Sequence, residues 1–378
     1  MKIIDLSRGV PDPRSFPVES LRAMAASALV RDAGRMLQYG PAFGYPPLRE
    51  FIASWFDSAM SNVLVGHGSL ELFNFICDAY LQPGDVVFVE RPTYDRAITT
   101  LRQHGVTIVG IDVGDDGIRL DAFERELKRH RPKLVYLIPD FQNPTGVCMS
   151  VDARRAMIRW ASEHRFLLVE DGPYGFLRYR GTPLPSLHSM APDLTLHLSS
   201  FTKLISPGVR TGFLVAPEDV VKRVASVAER HYITPSFFAQ GIVAAWCEDG
   251  RLAPQLDSLK QLYGPRLDTC VQAIERYTPG RLVVRPEGGF FASLRLGARI
   301  DEQSLQAAAR EAGLVLSSGS AFFDARPGYA FVRVPFCALD AADITEGMRR
   351  LGDVVDHLDT AARNGKAYAT SDEEETSC

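Results

Sequence analysis

One lysine in this chain stands where a side chain could act as a nucleophile. Lys203 follows a short apolar run, Leu194–Leu198, and lies between two residues that could bind a phosphate, Ser200 and Arg210. A lysine at a strand end can lose contact with water, and a desolvated amine is more readily deprotonated, as a Schiff-base nucleophile must be. Ser200 could give the phosphate a hydrogen bond, and Arg210 a fixed positive charge.

The glycine-bearing turn after this lysine makes the pattern specific. A lone S-x-x-K would indicate little, because most surface lysines are merely solvated, but here the string P-G-x-R-x-G follows at residues 207–212. The whole stretch resembles the pyridoxal-phosphate signature of class I and II aminotransferases. This resemblance implies that Lys203 holds pyridoxal 5′-phosphate and that Ser200 and Arg210 grip its phosphate group.

A buried strand ending in acidic residues precedes the lysine. Asp171 directly follows the predicted strand Phe166–Glu170. An acid before Gly-Pro often only caps a turn, and that alternative applies to Asp171 taken alone. With Lys203 at a matching strand end, we predict instead that the Asp171 carboxylate pairs with the protonated pyridine nitrogen of the cofactor and keeps its ring an electron sink. Tyr174 would then hydrogen-bond the phenolic oxygen of the cofactor.

The turn after the strand Leu134–Ile138 contains the string N-P-T-G at residues 143–146. Turn chemistry alone would account for its proline and glycine. The string resembles the N-P-T-G of the same aminotransferases, which implies that Asn143 also reaches the phenolic oxygen. The resemblance further implies a cis peptide bond before Pro144, since cis bonds are essentially confined to proline. Pro92 is a second candidate for a cis bond.

Two further turns could contact the cofactor. Glycines at 66 and 68 permit close backbone approach, and the first N–H groups of the helix that follows form a phosphate site, which we assign to Ser69 and Leu70. A tight strand–helix turn would produce the same short string, and His67 within it is more typical of a structural residue. Tyr94 could stack on the cofactor ring, although core packing would also explain an aromatic side chain there.

Three residues outside these strands complete the resemblance. Tyr39 begins the string Y-x-x-x-x-G-x-x-x-L-R, whose tyrosine in this family reaches the phosphate in the neighbouring subunit, so it implies a homodimer with shared sites. Arg333 lies on an apolar strand and matches the arginine that forks onto the substrate α-carboxylate. An internal salt bridge is the alternative for this arginine. Gly9 matches the glycine whose backbone contacts the same carboxylate.

Short apolar runs alternate with helix-like stretches from residue 62 to about residue 216. Several runs are apolar at consecutive positions, as expected of strands covered by helices on both faces. The alternation predicts an α/β fold whose large domain has a mainly parallel seven-stranded sheet flanked by helices. The predicted strands are Asn62–Val65, Val86–Glu90, Val106–Ile111, Leu134–Ile138, Phe166–Glu170, Leu194–Leu198 and Gly212–Val215.

The pattern changes after residue 216 to long helical stretches and then to a second, smaller α/β unit. The N-terminal segment is too short to fold alone, so we expect it to pack on this C-terminal unit. We therefore predict a small domain from residues 1–38 and 250–365 and a large cofactor-binding domain from residues 39–249. Residues 366–378 are small, polar and acidic, and they predict a disordered tail.

Composition and charge narrow the class of protein. A net charge of -4 gives no electrostatic reason to expect nucleic acid or an anionic membrane as partner. Six cysteines are scattered without C-x-x-C or metal-ligand spacing, which predicts reduced thiols in a cytosolic protein and no metal site. Neither a signal peptide nor a membrane-spanning apolar run is present, so we expect a cytoplasmic location.

The motifs together predict an aminotransferase that moves an amino group between an L-amino acid and a 2-keto acid, and the chain looks closest to the α-aminoadipate and aromatic aminotransferase branch. Departures from that branch at Phe43, Ser318 and Val334 surround the substrate pocket. Elimination, cyclisation or oxidation of an amino acid on the same scaffold is therefore the alternative. A ligand-sensing module, as in regulators fused to a winged helix, ranks last, because the chain starts too close to Gly9 for a DNA-binding domain.

Overall fold

The computed structural model describes residues 2–297 and 300–374, with side chains described through residue 362. The strands are β1 (Ile4–Leu6), β2 (Val63–Gly66), β3 (Val86–Arg91), β4 (Thr107–Gly114), β5 (Gly117–Ile118), β6 (Pro132–Leu137), β7 (Leu167–Asp171), β8 (Thr195–Ser200), β9 (Gly212–Val215), β10 (Phe291–Arg295), β11 (Leu314–Leu316) and β12 (Phe331–Pro335). The α-helices are α1 (Val18–Met36), α2 (Pro46–Trp55), α3 (Ser69–Tyr80), α4 (Asp95–Gln103), α5 (Leu120–Arg129), α6 (Val151–His164), α7 (Leu187–Met190), α8 (Glu218–Tyr232), α9 (Phe237–Glu248), α10 (Leu252–Tyr277), α11 (Glu302–Glu311) and α12 (Ala341–Glu374).

The largest sheet contains eight strands in the order β2-β9-β8-β7-β6-β3-β4-β5. Strands β8, β7, β6, β3 and β4 run parallel, whereas β9 is antiparallel to both of its neighbours and β5 is antiparallel to β4. The predicted α/β fold with a mainly parallel sheet is confirmed, and all seven predicted strands are present. The eighth strand, β5, is not predicted because two residues are too few to show a periodic pattern.

Helices cover both faces of this sheet, which explains why its central strands are apolar throughout. Successive side chains of a strand point to opposite faces. Val87 and Val89 of β3 accordingly pack in a cluster with Leu72 of α3, whereas Phe88 between them packs on Phe123 of α5, with the two ring centroids 5.3 Å apart. A polar residue without a partner is therefore costly along these strands.

The two ends of the chain form smaller sheets beside the large one. β1 pairs in parallel with β11, where Ile4 lies opposite Leu314, and β10 pairs antiparallel with β12, where Ser293 lies opposite Arg333. The N-terminal segment therefore packs on the C-terminal unit, as expected from its length. The domain boundaries given above stay a prediction.

A buried ion pair anchors the N-terminal strip that follows β1. Asp12 accepts hydrogen bonds from Arg14 at 2.7 Å and from Arg266 of α10 at 2.5 Å, and Arg266 also donates to the carbonyl of Cys337. Burial by itself would raise the pKa of Asp12, but the hydrogen bonds from the two arginines outweigh it and hold that pKa below its usual range. The pair fixes the strip that carries Gly9 beside the end of β12.

The last helix extends further than the sequence indicates. α12 continues to Glu374, through most of the segment for which disorder is predicted, and residues 375–378 lie outside the described residues. Because helix formation is cooperative, the packed first half of α12, with Leu351 and Val355 buried, can propagate into a polar segment. Within the described residues no helix is long and apolar enough to cross a membrane. The cytoplasmic location stays a prediction.

Candidate active site

The predicted site residues converge on one cavity at the carboxyl ends of the central strands. β7 and β8 are parallel neighbours, so their ends lie at the same edge of the sheet, where open α/β folds bind ligands. The cavity has a volume of about 600 Å³. Every predicted site residue except Tyr39 lines it, namely Gly9, Ser69, Leu70, Tyr94, Asn143, Asp171, Tyr174, Ser200, Lys203, Arg210 and Arg333.

Lys203 lies in the turn after β8 and directs its amine into the cavity. Its Nζ donates to the carbonyl oxygen of Gly9 at 3.2 Å and lies 5.6 Å from the centroid of the Phe290 ring. Burial lowers the pKa of the Lys203 amine below its usual value. A larger fraction of the amine is therefore neutral, which is the form that attacks a carbonyl carbon.

Asp171, at the end of β7, is buried with half of its carboxylate engaged. Its Oδ2 accepts a 2.5 Å hydrogen bond from the hydroxyl of Tyr136 on the neighbouring strand β6, whereas its Oδ1 is buried without a partner among the residues that the structure describes. Burial raises the pKa of Asp171 to about 6. A buried acceptor without a donor is costly, so this oxygen fits a ligand that brings a proton, such as a protonated ring nitrogen.

A cradle for an anion forms between the start of α3 and the turn before β9. Gly68 precedes α3 with φ +124°, a conformation that L side chains rarely adopt, and Ser69 and Leu70 begin the helix. Arg210 donates to the carbonyl of His67 at 2.6 Å, which fixes its guanidinium beside Gly68. The exposed N–H groups and the arginine together suit a phosphate group.

Ser200 lies at the edge of this cradle and already has partners. Its hydroxyl lies 2.7 Å from the hydroxyl of Thr202 and 3.1 Å from the carbonyl of Thr211. Thr202 also lines the cavity, although no motif assigned it. The signal that could have indicated Thr202 is a second hydroxyl two residues after Ser200 and directly before Lys203.

Tyr94 and Tyr174 contribute aromatic walls. Tyr94 immediately precedes α4, and burial, followed by the nearby Asp171 carboxylate, raises its pKa to about 12. Tyr174 is buried with its ring centroid 5.5 Å from that of Phe290 and 5.8 Å from that of Phe291. Burial raises the pKa of the Tyr174 hydroxyl well above its usual value, so both tyrosines are neutral donors near pH 7.

Arg333 is held in place without being neutralised. Its Nη1 donates to Asn143 Oδ1 at 3.0 Å and its Nη2 to the carbonyl of Ser7 at 2.7 Å. The rings of Phe291 and Phe322 lie on it, with centroids 4.5 and 4.8 Å from the guanidinium carbon. Its Nε is buried without a partner, and in the described part of the chain no carboxylate pairs with it. The alternative of an internal salt bridge is therefore not found, and the arginine suits an anionic ligand.

The contact with Arg333 also orients Asn143. Because an arginine can only donate, the oxygen of the Asn143 amide must face Arg333, and its NH₂ group points elsewhere as a donor. The peptide bond between Asn143 and Pro144 is cis, as predicted, and so is the bond between Arg91 and Pro92. Asn143 lines the cavity, and its NH₂ group is the part of the amide that the contact with Arg333 does not use.

Two residues that hold the site were missed from the sequence. Tyr136 donates to Asp171, and its signal is a hydroxyl in a strand whose residues on the same face, Pro132 and Leu134, are apolar. Phe322 covers Arg333 from the loop between β11 and β12, and no sequence pattern indicates that contact. Tyr39 lies outside the cavity with 74% of its surface exposed, between α1 and α2.

A substitution at Gly212 tests the anion cradle. A Cβ at this position would lie 2.5 Å from the carbonyl carbon of Gly68 and 2.5 Å from the nitrogen of Ser69. We expect Gly212→Ala to displace the start of α3 and to weaken the binding of pyridoxal phosphate, used here as a phosphate-bearing probe, by roughly ten- to a hundredfold, because overpacking of this kind costs about 1–3 kcal/mol. Equilibrium dialysis measures the effect. Gly208→Ala is the control, because its Cβ would meet only Ser206 Oγ at 3.8 Å. Equal affinity in both variants would contradict the cradle.

Comparison with known proteins agrees with this geometry. Residues 1–351 match the family described as aminotransferase class I and II. Aromatic-amino-acid aminotransferase 1 of Thermococcus litoralis is 31% identical, over 93% of this chain and 88% of its own length.

Solved structures show the same fold. The multiple substrate aminotransferase of Thermococcus profundus is 33% identical with a TM-score of 0.92, covering 95% of this chain and 93% of its own. LysN, the α-aminoadipate aminotransferase of Thermus thermophilus, complexed with N-(5′-phosphopyridoxyl)-L-leucine, is 31% identical with a TM-score of 0.90, covering 95% and 93% of the two chains. The protein described here belongs to the class I and II aminotransferase family.

Proposed function

We propose that this protein is a pyridoxal-phosphate-dependent aminotransferase that moves an amino group between an L-amino acid and a 2-keto acid. One observation carries the proposal. Asp171 Oδ1 has no donor in the described part of the chain, and it is buried at the end of β7, the strand beside the one that leads to Lys203. A ring that binds Asp171 and Lys203 at once needs a protonated nitrogen for the carboxylate and an aldehyde for the amine. Pyridoxal phosphate has both. The phosphopyridoxyl compound in the related LysN structure supports this assignment.

Each remaining group of the cavity has a place in holding that cofactor. The helix start at Ser69 and Leu70, together with Ser200 and Arg210, would bind its phosphate. The ring of Tyr94 would stack on the cofactor ring. Two donors would reach the phenolic oxygen, namely the amide of Asn143 and the hydroxyl of Tyr174.

When bound, pyridoxal phosphate acts as an electron sink for the carbon that loses its proton. The chain supplies the acid and the base. Lys203 would hold the cofactor through its amine. The same Nζ would serve as the base for the proton on the substrate Cα, because its lowered pKa leaves it neutral more often than a solvated lysine. Asp171, ionised above its pKa of about 6, would balance a positive charge on the ring nitrogen.

Substrate carboxylates would bind at Arg333. Arg333 lines the cavity with no carboxylate of the described residues paired with it, and a carboxylate satisfies two N–H donors at once. The backbone of Gly9 forms the adjacent wall. Amino acids and keto acids both carry this carboxylate, so a single arginine serves both halves of a transamination.

We also propose that two copies of the chain share their active sites. Tyr39 is 74% exposed and lies among other exposed apolar side chains, Leu37 at 69%, Ile233 at 64% and Phe238 at 46%. A hydrogen bond from Gly40 N to Thr234 Oγ1 joins the segments that carry them. An apolar surface of this kind is typical of a contact with a second copy, which would bring Tyr39 to the partner's phosphate site.

The function is tested with purified protein loaded with pyridoxal phosphate. We expect a visible absorbance band that borohydride bleaches, and a reduced cofactor on the peptide containing Lys203. An amino acid alone should stop after one half-reaction, and a keto acid should restore turnover. Lys203→Ala should lose the adduct and turnover, whereas Lys222→Ala, an exposed lysine paired with Glu218, should keep both. Turnover that needs no keto acid would instead support elimination, cyclisation or oxidation.

Arg333→Lys should lower kcat/KM for amino acids and keto acids alike. An ammonium cannot reproduce the two-pronged contact, and its loss should cost about 2–4 kcal/mol, roughly thirty- to a thousandfold. Arg295→Lys is the control on the adjacent strand β10, where the arginine only covers the Tyr329 ring. Amines without a carboxylate should lose little in the Arg333 variant. An equal loss for such amines would show that Arg333 has a structural role.

Mixing two inactive variants tests the shared sites. Tyr39→Ala and Lys203→Ala subunits should together form hybrid dimers in which one of two sites is intact, so activity should recover to about a quarter of wild type after full exchange. The activity of each variant incubated alone is the baseline. No recovery despite subunit exchange, verified by native mass spectrometry, would contradict the composite site.

A further inference from the structure

Gln142 lies directly behind the cavity wall and is almost entirely buried, with 1% of its surface exposed. It does not line the cavity and has no part in the chemistry described above. Its side chain lies between two turns that are distant in sequence. One follows β3 and leads to Tyr94, and the other follows β6 and contains Asn143.

The amide of Gln142 binds both turns at once. Its Nε2 donates to the carbonyl of Pro92 at 2.7 Å. The same nitrogen lies 3.3 Å from Oε2 of Glu90, a residue near the end of β3. Its Oε1 accepts from the backbone N–H of Thr145 at 2.9 Å and from the Thr145 hydroxyl at 2.6 Å, both in the second turn.

These partners determine the orientation of the amide. A backbone N–H can only donate, so the oxygen must face Thr145, and a backbone carbonyl can only accept, so the NH₂ group must face Pro92. No other common side chain of this shape offers a donor on one side and an acceptor on the other. Glutamate, its isostere, has no N–H for Pro92 and would place a second carboxyl group beside Glu90.

We infer that Gln142 is a positioning residue that fixes the distance between Tyr94 and Asn143, the two side chains assigned above to the face and to the phenolic oxygen of the cofactor. The inference rests on the proposed function for what those two residues bind. Tyr94 is two residues beyond Pro92, and Asn143 directly follows Gln142, so little chain lies between the bonds and the groups they position. A misplacement of about 1 Å at a reacting centre can cost a hundredfold in rate.

A second buried glutamine provides a matched control. Gln240 on α9 is also 1% exposed, and it also joins two segments, accepting from Tyr45 N at 2.7 Å and donating to the carbonyl of Val65 at 3.4 Å. It does not line the cavity. Losing either glutamine leaves buried backbone groups unpaired, so both losses should destabilise the fold to a similar degree.

The experiment compares Gln142→Glu and Gln142→Leu with Gln240→Leu in the enzyme loaded with pyridoxal phosphate. For the Gln142 variants we expect kcat to fall roughly ten- to a hundredfold, with the KM for the amino acid within about threefold, because Arg333 keeps its other contacts. The affinity for the cofactor should fall. The pH midpoint of the visible absorbance change should rise by about half a unit or more, because the hydrogen bond from Asn143 to the phenolic oxygen weakens. Gln240→Leu should lower the melting temperature while changing kcat and the pH midpoint little.

Thr145 supplies a milder pair of variants in case the Gln142 changes prevent folding. Thr145→Val removes the hydroxyl bond to Gln142 and should reproduce part of the spectral shift, and Thr145→Ser, which keeps the hydroxyl, should restore wild-type behaviour. The inference would be overturned if the Gln142 and Thr145→Val variants had the same kcat and the same pH midpoint as the Gln240→Leu control. Gln142 would then be a structural residue. If wild type binds the cofactor but transaminates nothing, the proposed function fails, yet affinity and spectrum still test Gln142.

Discussion

The structure depends on keeping a carboxylate, an amine and a guanidinium in one cavity without letting them neutralise one another. Asp171 and Arg333 each retain a buried polar atom without a partner, and burial lowers the pKa of the Lys203 amine. A buried polar atom left unpaired costs about 1–3 kcal/mol, so these groups would collapse onto one another if the chain allowed it. The surrounding fold must therefore hold them apart, and that requirement explains the contacts that these three groups make.

Neutral partners are the means by which the groups are held. Tyr136 binds one oxygen of Asp171. Arg333 donates to Asn143 and to the carbonyl of Ser7, and Lys203 donates to the carbonyl of Gly9. Each bond fixes a direction without cancelling a charge, so the charges remain available to a ligand. The parallel strands supply the rigid base, because a residue at a strand end cannot move without breaking the ladder of hydrogen bonds behind it.

Whether a residue of the site could be predicted depends on the range of the interaction that places it. Lys203, Asp171 and Asn143 were predicted because strand ends and short motifs are local patterns, and the structure brings them into one cavity. Contacts between distant segments left no such pattern, as with Phe322 on Arg333. Weak local signals also failed, since β5 has only two residues and the polar end of α12 gives no periodicity that would indicate a helix.

The fold class, the family and the residue types of the site could be inferred from the amino-acid sequence, because apolar periodicity and short motifs are patterns of neighbouring residues. The state of those residues became clear from the folded chain. Among the described residues it left Arg333 without a carboxylate partner and one buried oxygen of Asp171 unpaired, and it oriented the amide of Asn143 and joined two distant turns through Gln142. Burial and hydrogen-bond direction depend on segments that lie far apart in the chain, and no local pattern carries that information.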